Sequence, residues 1–244
     1  MSLFEKDTQR FETACDLILS GNYYQNGIGS LGEKTLHAVL KNYFEPHEIS
    51  QEIKVGSHVA DIVGQDGIIE IQTRNFFSLK KKLEKLLSVT DVTVVYPVAA
   101  KKDLVWVDAD TGEAELSKRG GKKDSGLSIF YELVHILPFI DSDRMHFCLM
   151  FLHVEEVRRV TAGNKRRSQR LERYPKALLD QQYFEKTADF VRLLPVTSPF
   201  TIKQLQKAGN ISPRLAQSTA NVLMRVGALT REKKGRSFYY TVVE

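Results

Sequence analysis

Asp61 and Glu70 are the side chains of this sequence whose types and spacing best suit chemistry, because they stand in two neighbouring β-forming runs. The runs Val59–Val63 and Ile68–Thr73 flank Gln65-Asp66-Gly67, a turn sequence typical of hairpins. Two carboxylates about 4 Å apart repel by roughly 4 kcal/mol at an effective dielectric of 20, unless a cation lies between them. A cation site on this hairpin is therefore one interpretation of the pattern.

The pairing of the two strands decides whether the carboxylates meet. Side chains alternate between the faces of a strand, and residues opposite each other in a ladder share a face. Pairing Val63 with Ile68, or with Glu70, predicts one shared polar face. It carries Asp61, Glu70 and Gln72. The same alternation also fits the solvated polar face of an amphipathic hairpin, so periodicity alone leaves both interpretations open.

The order Asp61, eight further residues and then Glu70-Ile71-Gln72 resembles the core of the PD-(D/E)xK, or restriction-endonuclease-like, nucleases. This resemblance covers about residues 25–110. It implies an α/β fold with a restriction-endonuclease-like mixed sheet flanked by helices. It also implies that Asp61 and Glu70, with the Ile71 carbonyl, hold Mg²⁺ or Mn²⁺, and that Glu33 on the preceding helix is a further ligand.

The sequence departs from the family pattern at two positions. Ala60 stands where the name-giving Pro would be, and Gln72 stands where Lys is usual. Gln72 is expected to orient water or a phosphate oxygen, but it carries no charge, so hydrolysis would depend more on the metal. The catalytic set that the resemblance implies is therefore Asp61, Glu70, Gln72 and Glu33.

Glu33 has a second interpretation. Ser30-Leu31-Gly32-Glu33 is also a capping-box sequence at the start of a helix predicted to run to about Phe44. In that case Glu33 would accept the backbone N–H of Ser30 rather than hold a metal. His37 follows one turn later on the same face, where packing or hydrogen bonding is its expected role.

The elements around the hairpin alternate in a way that is typical of an α/β layer. The predicted elements are a helix over Leu3–Ser20, strands at Gln51–Val55, Asp91–Pro97, Leu104–Asp108 and Met145–Val154, and helices over Phe76–Leu87 and Gly126–Ile140. Lys80, Lys81, Lys82 and Lys85 are expected on the solvated face of the 76–87 helix, with phosphate contact as the alternative. The loop Leu116–Ser125 has four cations and two glycines and is a candidate DNA-gripping segment.

Charge is divided unevenly along the 244 residues. Residues 1–155 have 17 Lys/Arg against 23 Asp/Glu, a net charge of −6, whereas residues 156–244 have 18 against 7, a net charge of +11. This asymmetry predicts that affinity for a polyanion is concentrated in the second half. We predict a nuclease-like domain over 1–155, a basic linker over 156–184 that also suits a surface helix, and a C-terminal domain over 185–244.

The C-terminal domain resembles winged helix-turn-helix domains in the order of its segments. A helix is predicted over Phe184–Leu194, Thr201 caps a short helix, Ser212-Pro213 begins a helix to Val226, and a hairpin follows around Lys233-Lys234-Gly235-Arg236. The resemblance implies a 213–226 helix in the major groove and a basic wing on the backbone. The implied DNA-binding residues are Arg214, Gln217, Ser218, Asn221, Arg225, Lys233, Lys234 and Arg236. A winged helix used for protein contacts or dimerisation is the alternative.

Taken together, the residues and resemblances predict a metal-dependent DNA endonuclease. The alternatives are a non-catalytic DNA-binding regulator with a degenerate nuclease fold, and an RNA-processing nuclease. A homodimer would supply two active sites for a double-strand cut, although no motif tests it. No run of 18 apolar residues and no targeting signal is found, and the lone Cys15 and Cys148 are expected to be buried and reduced, as in a cytoplasmic protein.

Overall fold

The chain has a mixed α/β fold built on strands rich in β-branched and aromatic residues. The computed structural model describes residues 3–22, 33–117, 120–121, 123–161, 163 and 165–243, and the side chains at 21, 22, 33 and 34 lie outside that description. The strands of the main sheet are β1 (Gln51–Val55), β2 (His58–Gly64), β3 (Gly67–Ile71), β4 (Val92–Asp108), β5 (Ala114–Leu116), β6 (Met145–Val160) and β7 (Gln169–Phe184). Within the described residues they form one seven-stranded sheet in the order β1-β2-β3-β4-β6-β7, with β5 paired to β4.

Pairing in the sheet changes direction at its centre. β1, β2 and β3 pair antiparallel, whereas β3 with β4 and β4 with β6 pair parallel. Residues Val92–Val98 of β4 are buried without interruption, as expected for a parallel strand that is covered on both faces. The hairpin β2–β3 is therefore hydrogen-bonded along its β3 side to the buried strand β4.

Helices cover the two faces of the sheet as separate layers. They are α1 (Thr8–Asn22), α2 (Glu33–Phe44), α3 (Phe76–Leu86), α4 (Ile129–Leu133), α5 (Ile202–Gly209) and α6 (Pro213–Arg225). α1 and α2 bury their apolar residues against one face, which includes Ile71 and Val95. α3, α4, α5 and α6 share a second hydrophobic cluster with the other face, which includes Ile68 and Val94.

The C-terminal segments follow the predicted order. A 3₁₀-helix at Thr187–Leu193 stands where a longer helix was predicted, and α5, α6 and the hairpin of β8 (Leu229–Lys234) and β9 (Ser237–Val242) follow. A single bridge joins Phe200 to Tyr240 of β9. α5 and α6 start at Thr201 and Ser212, whose side chains accept the N–H of Gln204 and Leu215, as the capping sequences predict.

Two predicted boundaries are corrected. The predicted strands 91–97 and 104–108 are parts of the single long strand β4. The helix predicted over 126–140 is α-helical only in α4, after which His135 and Ile136 donate to the carbonyls three residues earlier. The pattern of apolar residues persists through this tighter turn, so periodicity did not reveal where the α-helix ends.

The predicted linker over 156–184 is wrong. Residues 156–160 belong to β6, and β7 occupies 169–184 and pairs antiparallel with β6. The eight cations of this segment hid the strand pattern, because Arg and Lys stems cover apolar surface while their charged ends stay polar. The sheet therefore extends into the basic half of the chain.

Several predictions lie outside the described residues. These are the capping sequence at Ser30, the side chain of Glu33, and the loop cations at positions 118, 119 and 122. Cys15 and Cys148 are both buried and unpaired, which confirms that expectation. Among the described helices, none has the length and apolar character required to cross a membrane.

Gly67 fixes the start of β3, and we predict that it tolerates no side chain. Its φ is +111°, and a Cβ atom there would lie 2.5 Å from the Asp91 carbonyl oxygen. Gly67→Ala should lower the free energy of unfolding by more than about 1 kcal/mol in urea denaturation. Gly64→Ala is the matched control, because its Cβ would meet only the Gly67 carbonyl oxygen at 3.7 Å. Equal effects of the two substitutions would contradict this account of the turn.

Candidate functional site

The hairpin β2–β3 brings Asp61 and Glu70 together. Val63 pairs with Ile68 and Ile62 with Ile69, which is the first of the two predicted registers. Beyond these pairs the Asp61 carboxylate enters the ladder, because its Oδ2 accepts the backbone N–H of Ile71 at 2.7 Å. The side chain thus does what a strand carbonyl would do, and Asp61 is fixed beside Glu70.

Helices from both layers contribute side chains to this pair. His37 on α2 places Nε2 3.3 Å from Asp61 Oδ2. Lys82 on α3 forms an ion pair with Glu70 Oε2. The sheet thus carries the two acids at a position where one helix from each face can reach them.

An open cavity of about 700 Å³ lies over these groups. Its lining includes the two acids and the side chains that contact them, together with residues of α2, α3 and the end of β3: His37, Lys41, Asp61, Glu70, Ile71, Gln72, Thr73 and Lys82. The side chain of Asp61, which is 19% exposed, is therefore accessible from outside the fold, whereas Glu70 lines the same cavity but is only 2% exposed.

The two carboxyl groups titrate differently. Burial and the neighbouring Asp61 carboxylate raise the pKa of Glu70 to about 7, although Lys82 opposes this shift. Burial also raises the pKa of Asp61, but the hydrogen bonds from His37 and Ile71 outweigh it and bring the pKa below its ordinary value. Two acids whose pKa values are pushed apart are characteristic of sites that handle protons or cations.

One oxygen of Glu70 lacks a partner. Glu70 is 2% exposed, and its Oε1 is buried with no hydrogen-bond partner among the described residues. An unsatisfied buried carboxylate oxygen is costly, and a divalent cation is a ligand that would satisfy it. The carboxylates of Asp61 and Glu70 are therefore oxygen donors of the kind that a hard cation such as Mg²⁺ binds.

The donor set among the described residues is small. In that part of the chain no group of three or more His, Cys, Asp or Glu side chains is arranged to hold a metal. Glu33 begins α2 one turn before His37, but its side chain is outside the description. A third acidic ligand thus stays a prediction, whereas the proximity of Asp61 and Glu70 is observed.

Gln72 has a role in the backbone as well as a place at the cavity. Its Nε2 donates to the carbonyls of Arg74 and Asn75, the residues that lead into α3. These two hydrogen bonds therefore stabilise the turn between β3 and α3. Its predicted role in orienting water stays a prediction.

Lys82 is the residue that sequence reasoning missed, because the lysine run was assigned to a solvated face. Lys80, Lys81 and Lys85 are indeed exposed. Lys82 differs in bordering the buried stripe of α3, three residues after Leu79, and its side chain is 16% exposed. That position beside the stripe was the signal that distinguished it from the other three.

The predicted DNA-binding residues lie on α6 and on the tip of the β8–β9 hairpin. All are exposed except the half-buried Ser218: Arg214, Gln217, Ser218, Asn221, Arg225, Lys233, Lys234 and Arg236. Gln217 Nε2 donates to Asn221 Oδ1 at 2.9 Å, and Arg225 lies 3.5 Å from Asp141 Oδ2. The structure thus brings them to one C-terminal unit without testing whether they bind DNA.

The pKa of Glu70 generates a prediction about stability. Because the folded chain binds this proton more tightly than the unfolded chain, ionising Glu70 destabilises the fold. From about pH 4.5 to 7, the wild-type free energy of unfolding should fall relative to Glu70→Gln by at most about 1.4 kcal/mol per pH unit, and the difference should then level off. Urea denaturation across that range measures it. Glu84→Gln, which removes an exposed carboxylate from α3, is the control, and an equal slope there would contradict the assignment.

The comparisons with known proteins concern the sheet and its helices. Residues 34–186 match the family described as Domain of unknown function (DUF8091). An "Uncharacterized protein" of Treponema pallidum (strain Nichols) is 31% identical over 132 residues, which are 54% of this chain and 52% of that protein. The chain thus spans about half the length of this curated relative, and no solved structure matches significantly. The family match covers more than half of the chain and includes the elements that carry Asp61, Glu70 and Lys82, so this chain belongs to the DUF8091 family.

Proposed function

We propose that this protein is a metal-dependent DNA endonuclease that hydrolyses phosphodiester bonds, with a restriction-endonuclease-like core and a C-terminal winged helix. The observation that carries the proposal is the half-buried Asp61 beside the buried Glu70 at an open cavity, with Oε1 of Glu70 unpartnered in the described residues. The antiparallel hairpin β2–β3, the crossover helix α3 and the parallel strand β4 support it, because this is the order that the resemblance implies.

Asp61, Glu70 and the Ile71 carbonyl are the groups that would hold Mg²⁺ or Mn²⁺, with Glu33 as the proposed additional ligand. When bound, such a cation polarises the scissile phosphate and lowers the pKa of coordinated water. His37 holds the orientation of the Asp61 carboxylate through its hydrogen bond to Oδ2. The N–H of Ile71 holds the same carboxylate from the strand side. The acid is thereby preorganised before any ligand arrives.

Lys82 supplies the positive charge that Gln72 lacks. Its ammonium group reaches Glu70 from α3, so a cationic donor faces the cavity although the strand position carries an amide. In this role Lys82 donates to a phosphate oxygen or to the attacking water, while Gln72 braces the turn beneath it. Lys82 on α3 thus provides the positive charge that position 72, at the end of the strand, does not carry.

The C-terminal unit is proposed to deliver the core to DNA. α6 presents exposed Arg214, Gln217 and Asn221, side-chain types that contact phosphates and base edges. The exposed wing tip carries Lys233, Lys234 and Arg236, which suits contact with the backbone.

A second candidate function is a non-catalytic DNA-binding regulator. The observation that favours it is the Lys82–Glu70 ion pair, which already compensates part of the buried negative charge. In that case the cavity would be a remnant of the nuclease fold, and the winged helix would account for all DNA affinity.

A cleavage assay on plasmid, branched and single-stranded DNA, with Mg²⁺ or Mn²⁺, separates the two functions. Asp61→Asn should abolish cleavage and retain DNA binding, because only the cavity changes. Lys82→Met should reduce the rate by about 10²-fold, as expected for loss of one donor to developing charge. Lys81→Met, on the exposed face of the same helix, should cleave at the wild-type rate. Cleavage by Asp61→Asn at that rate would remove the site assignment, and no cleavage by the wild type would favour the regulator.

The wing predicts a change in salt dependence. Replacing Lys233, Lys234 and Arg236 by Ala should weaken duplex binding and reduce the slope of log K against log salt by about 0.9 for each lost phosphate contact. Fluorescence anisotropy over a salt series measures this slope. The control replaces three exposed lysines elsewhere, Lys54, Lys81 and Lys85. A wing variant with an unchanged slope would show that the wing faces a protein.

A further inference from the structure

A second cavity, of about 720 Å³, lies between the sheet and the C-terminal helices. We call it the cationic cleft. Its walls come from β4, β7, the loop before α4, α4 itself and the turn before α6. Thr73 lines both this cleft and the cavity over Asp61 and Glu70. The two cavities therefore meet at the carboxyl end of β3, where open α/β sheets commonly bind ligands.

The lining of the cationic cleft is strongly positive. Five described lining residues are Lys or Arg, and Asp124 is the sole acid among them: Arg74, Lys102, Lys123, Arg170 and Arg173 are the cations. Such an excess of one sign in a concave site concentrates ligands of the opposite charge. The ligand that this lining fits is therefore an anion.

A buried carboxylate holds part of this positive wall in place. Glu156 is 2% exposed and contacts Arg158 at 2.7 Å, Arg173 at 2.9 Å and Lys102 at 3.3 Å. Burial opposes its ionisation, but Arg173, Lys102 and Arg158 together lower the pKa of Glu156 to about 2. Glu156 thus fixes Lys102 and Arg173, two of the five cations of the cleft, together with Arg158, which is not among the lining residues.

An aromatic wall completes the cleft. The Tyr131 hydroxyl lies 2.5 Å from Ser212 Oγ, and the Arg214 guanidinium lies 5.9 Å from the centre of the Tyr131 ring. These contacts hold the ring at the junction between α4 and α6. Fixed aromatic side chains in positive grooves provide stacking surfaces for bases irrespective of sequence.

The size of the cleft selects the ligand. A volume of 720 Å³ lies within the range of small-molecule sites and equals a cube of about 9 Å, whereas a duplex is wider than its own major groove of about 12 Å. A single nucleotide fits such a space, whereas a duplex does not.

We propose that the cationic cleft binds an unpaired nucleotide of the substrate strand, with its phosphate on the arginine and lysine side chains and its base against Tyr131. The inference rests on the proposed function for the presence of nucleic acid, and it deepens that function by naming the substrate class. The preferred substrate is a duplex that carries a single-stranded end or branch, and the unpaired strand passes from the cleft past Thr73 to Asp61 and Glu70.

The test compares binding of two labelled DNAs to the full chain by fluorescence anisotropy in EDTA, so that cleavage plays no part. One DNA is a blunt duplex of about 20 base pairs, and the other is the same duplex with a four-nucleotide overhang, both at about 0.1 M salt. The wild type should bind the overhang duplex at least about fivefold more tightly, as expected for one stacked base. An excess of mononucleotide should weaken binding of the overhang duplex until its affinity equals that of the blunt duplex, and no further.

Two variants and a control locate the effect. Ser125→Leu fills part of the cleft from an exposed lining position without adding an aromatic ring, and it should remove the preference while leaving blunt-duplex affinity unchanged. Lys123→Ala should reduce the preference, and Lys54→Ala, which changes an exposed lysine on β1, should not.

Equal wild-type affinity for the two DNAs, or a preference that survives both cleft variants, would overturn the inference. Mononucleotide binding that is lost in Ser125→Leu without any overhang preference would assign the cleft to a free nucleotide instead and would also overturn it. Because no step depends on cleavage, an overhang preference in a protein that cuts no DNA would refute the proposed nuclease and leave this inference standing.

Discussion

The hydrogen bond from the Ile71 N–H to the Asp61 carboxylate is the constraint on which the candidate site depends. It ends the β2–β3 ladder with a side chain instead of a carbonyl and holds one acid beside a second, buried acid. Two like charges in that position are unfavourable without compensation. The fold supplies compensation from both of its layers, through His37 of α2 and Lys82 of α3. The negative charge of the two acids is therefore compensated only when both helices are packed on the sheet.

The hairpin was predictable because its determinants are local. The turn at 65–67 and the alternation of Ile with Asp and Glu specify a register without information from the rest of the chain, and the observed pairing of Val63 with Ile68 agrees. The caps of α5 and α6 were predictable for the same reason, since Thr201 and Ser212 act within three residues. The role of Lys82 was not, because a contact with Glu70 across twelve residues depends on how α3 packs on the sheet.

The basic segment shows a different limit of sequence reasoning. β6 and β7 are long strands, yet the end of β6 and much of β7 resemble a linker in composition because charged residues replace the expected apolar ones. Within these strands the buried Glu156 is compensated by Lys102 of β4, Arg173 of β7 and Arg158 of its own strand. Truncating Glu156 would leave these cations facing one another. A charge count predicts the polyanion affinity of such a segment but not its secondary structure, because pairing partners distant in sequence decide whether the strands form.

The turn between β3 and α3 lies between the cavity over Asp61 and Glu70 and the cationic cleft. Asn75 adopts a left-handed conformation with φ of +61°, and Gln72 donates to the carbonyls of Arg74 and Asn75. This turn fixes Thr73, which faces both cavities, and Gln72 N–H bonds the Val95 carbonyl of β4. The amide at position 72 thus donates to both carbonyls without placing a charge that needs solvation at the end of the strand. Relative to the pattern that the sequence resembles, the positive charge is thus absent from position 72 at the end of the strand and present at Lys82 on α3.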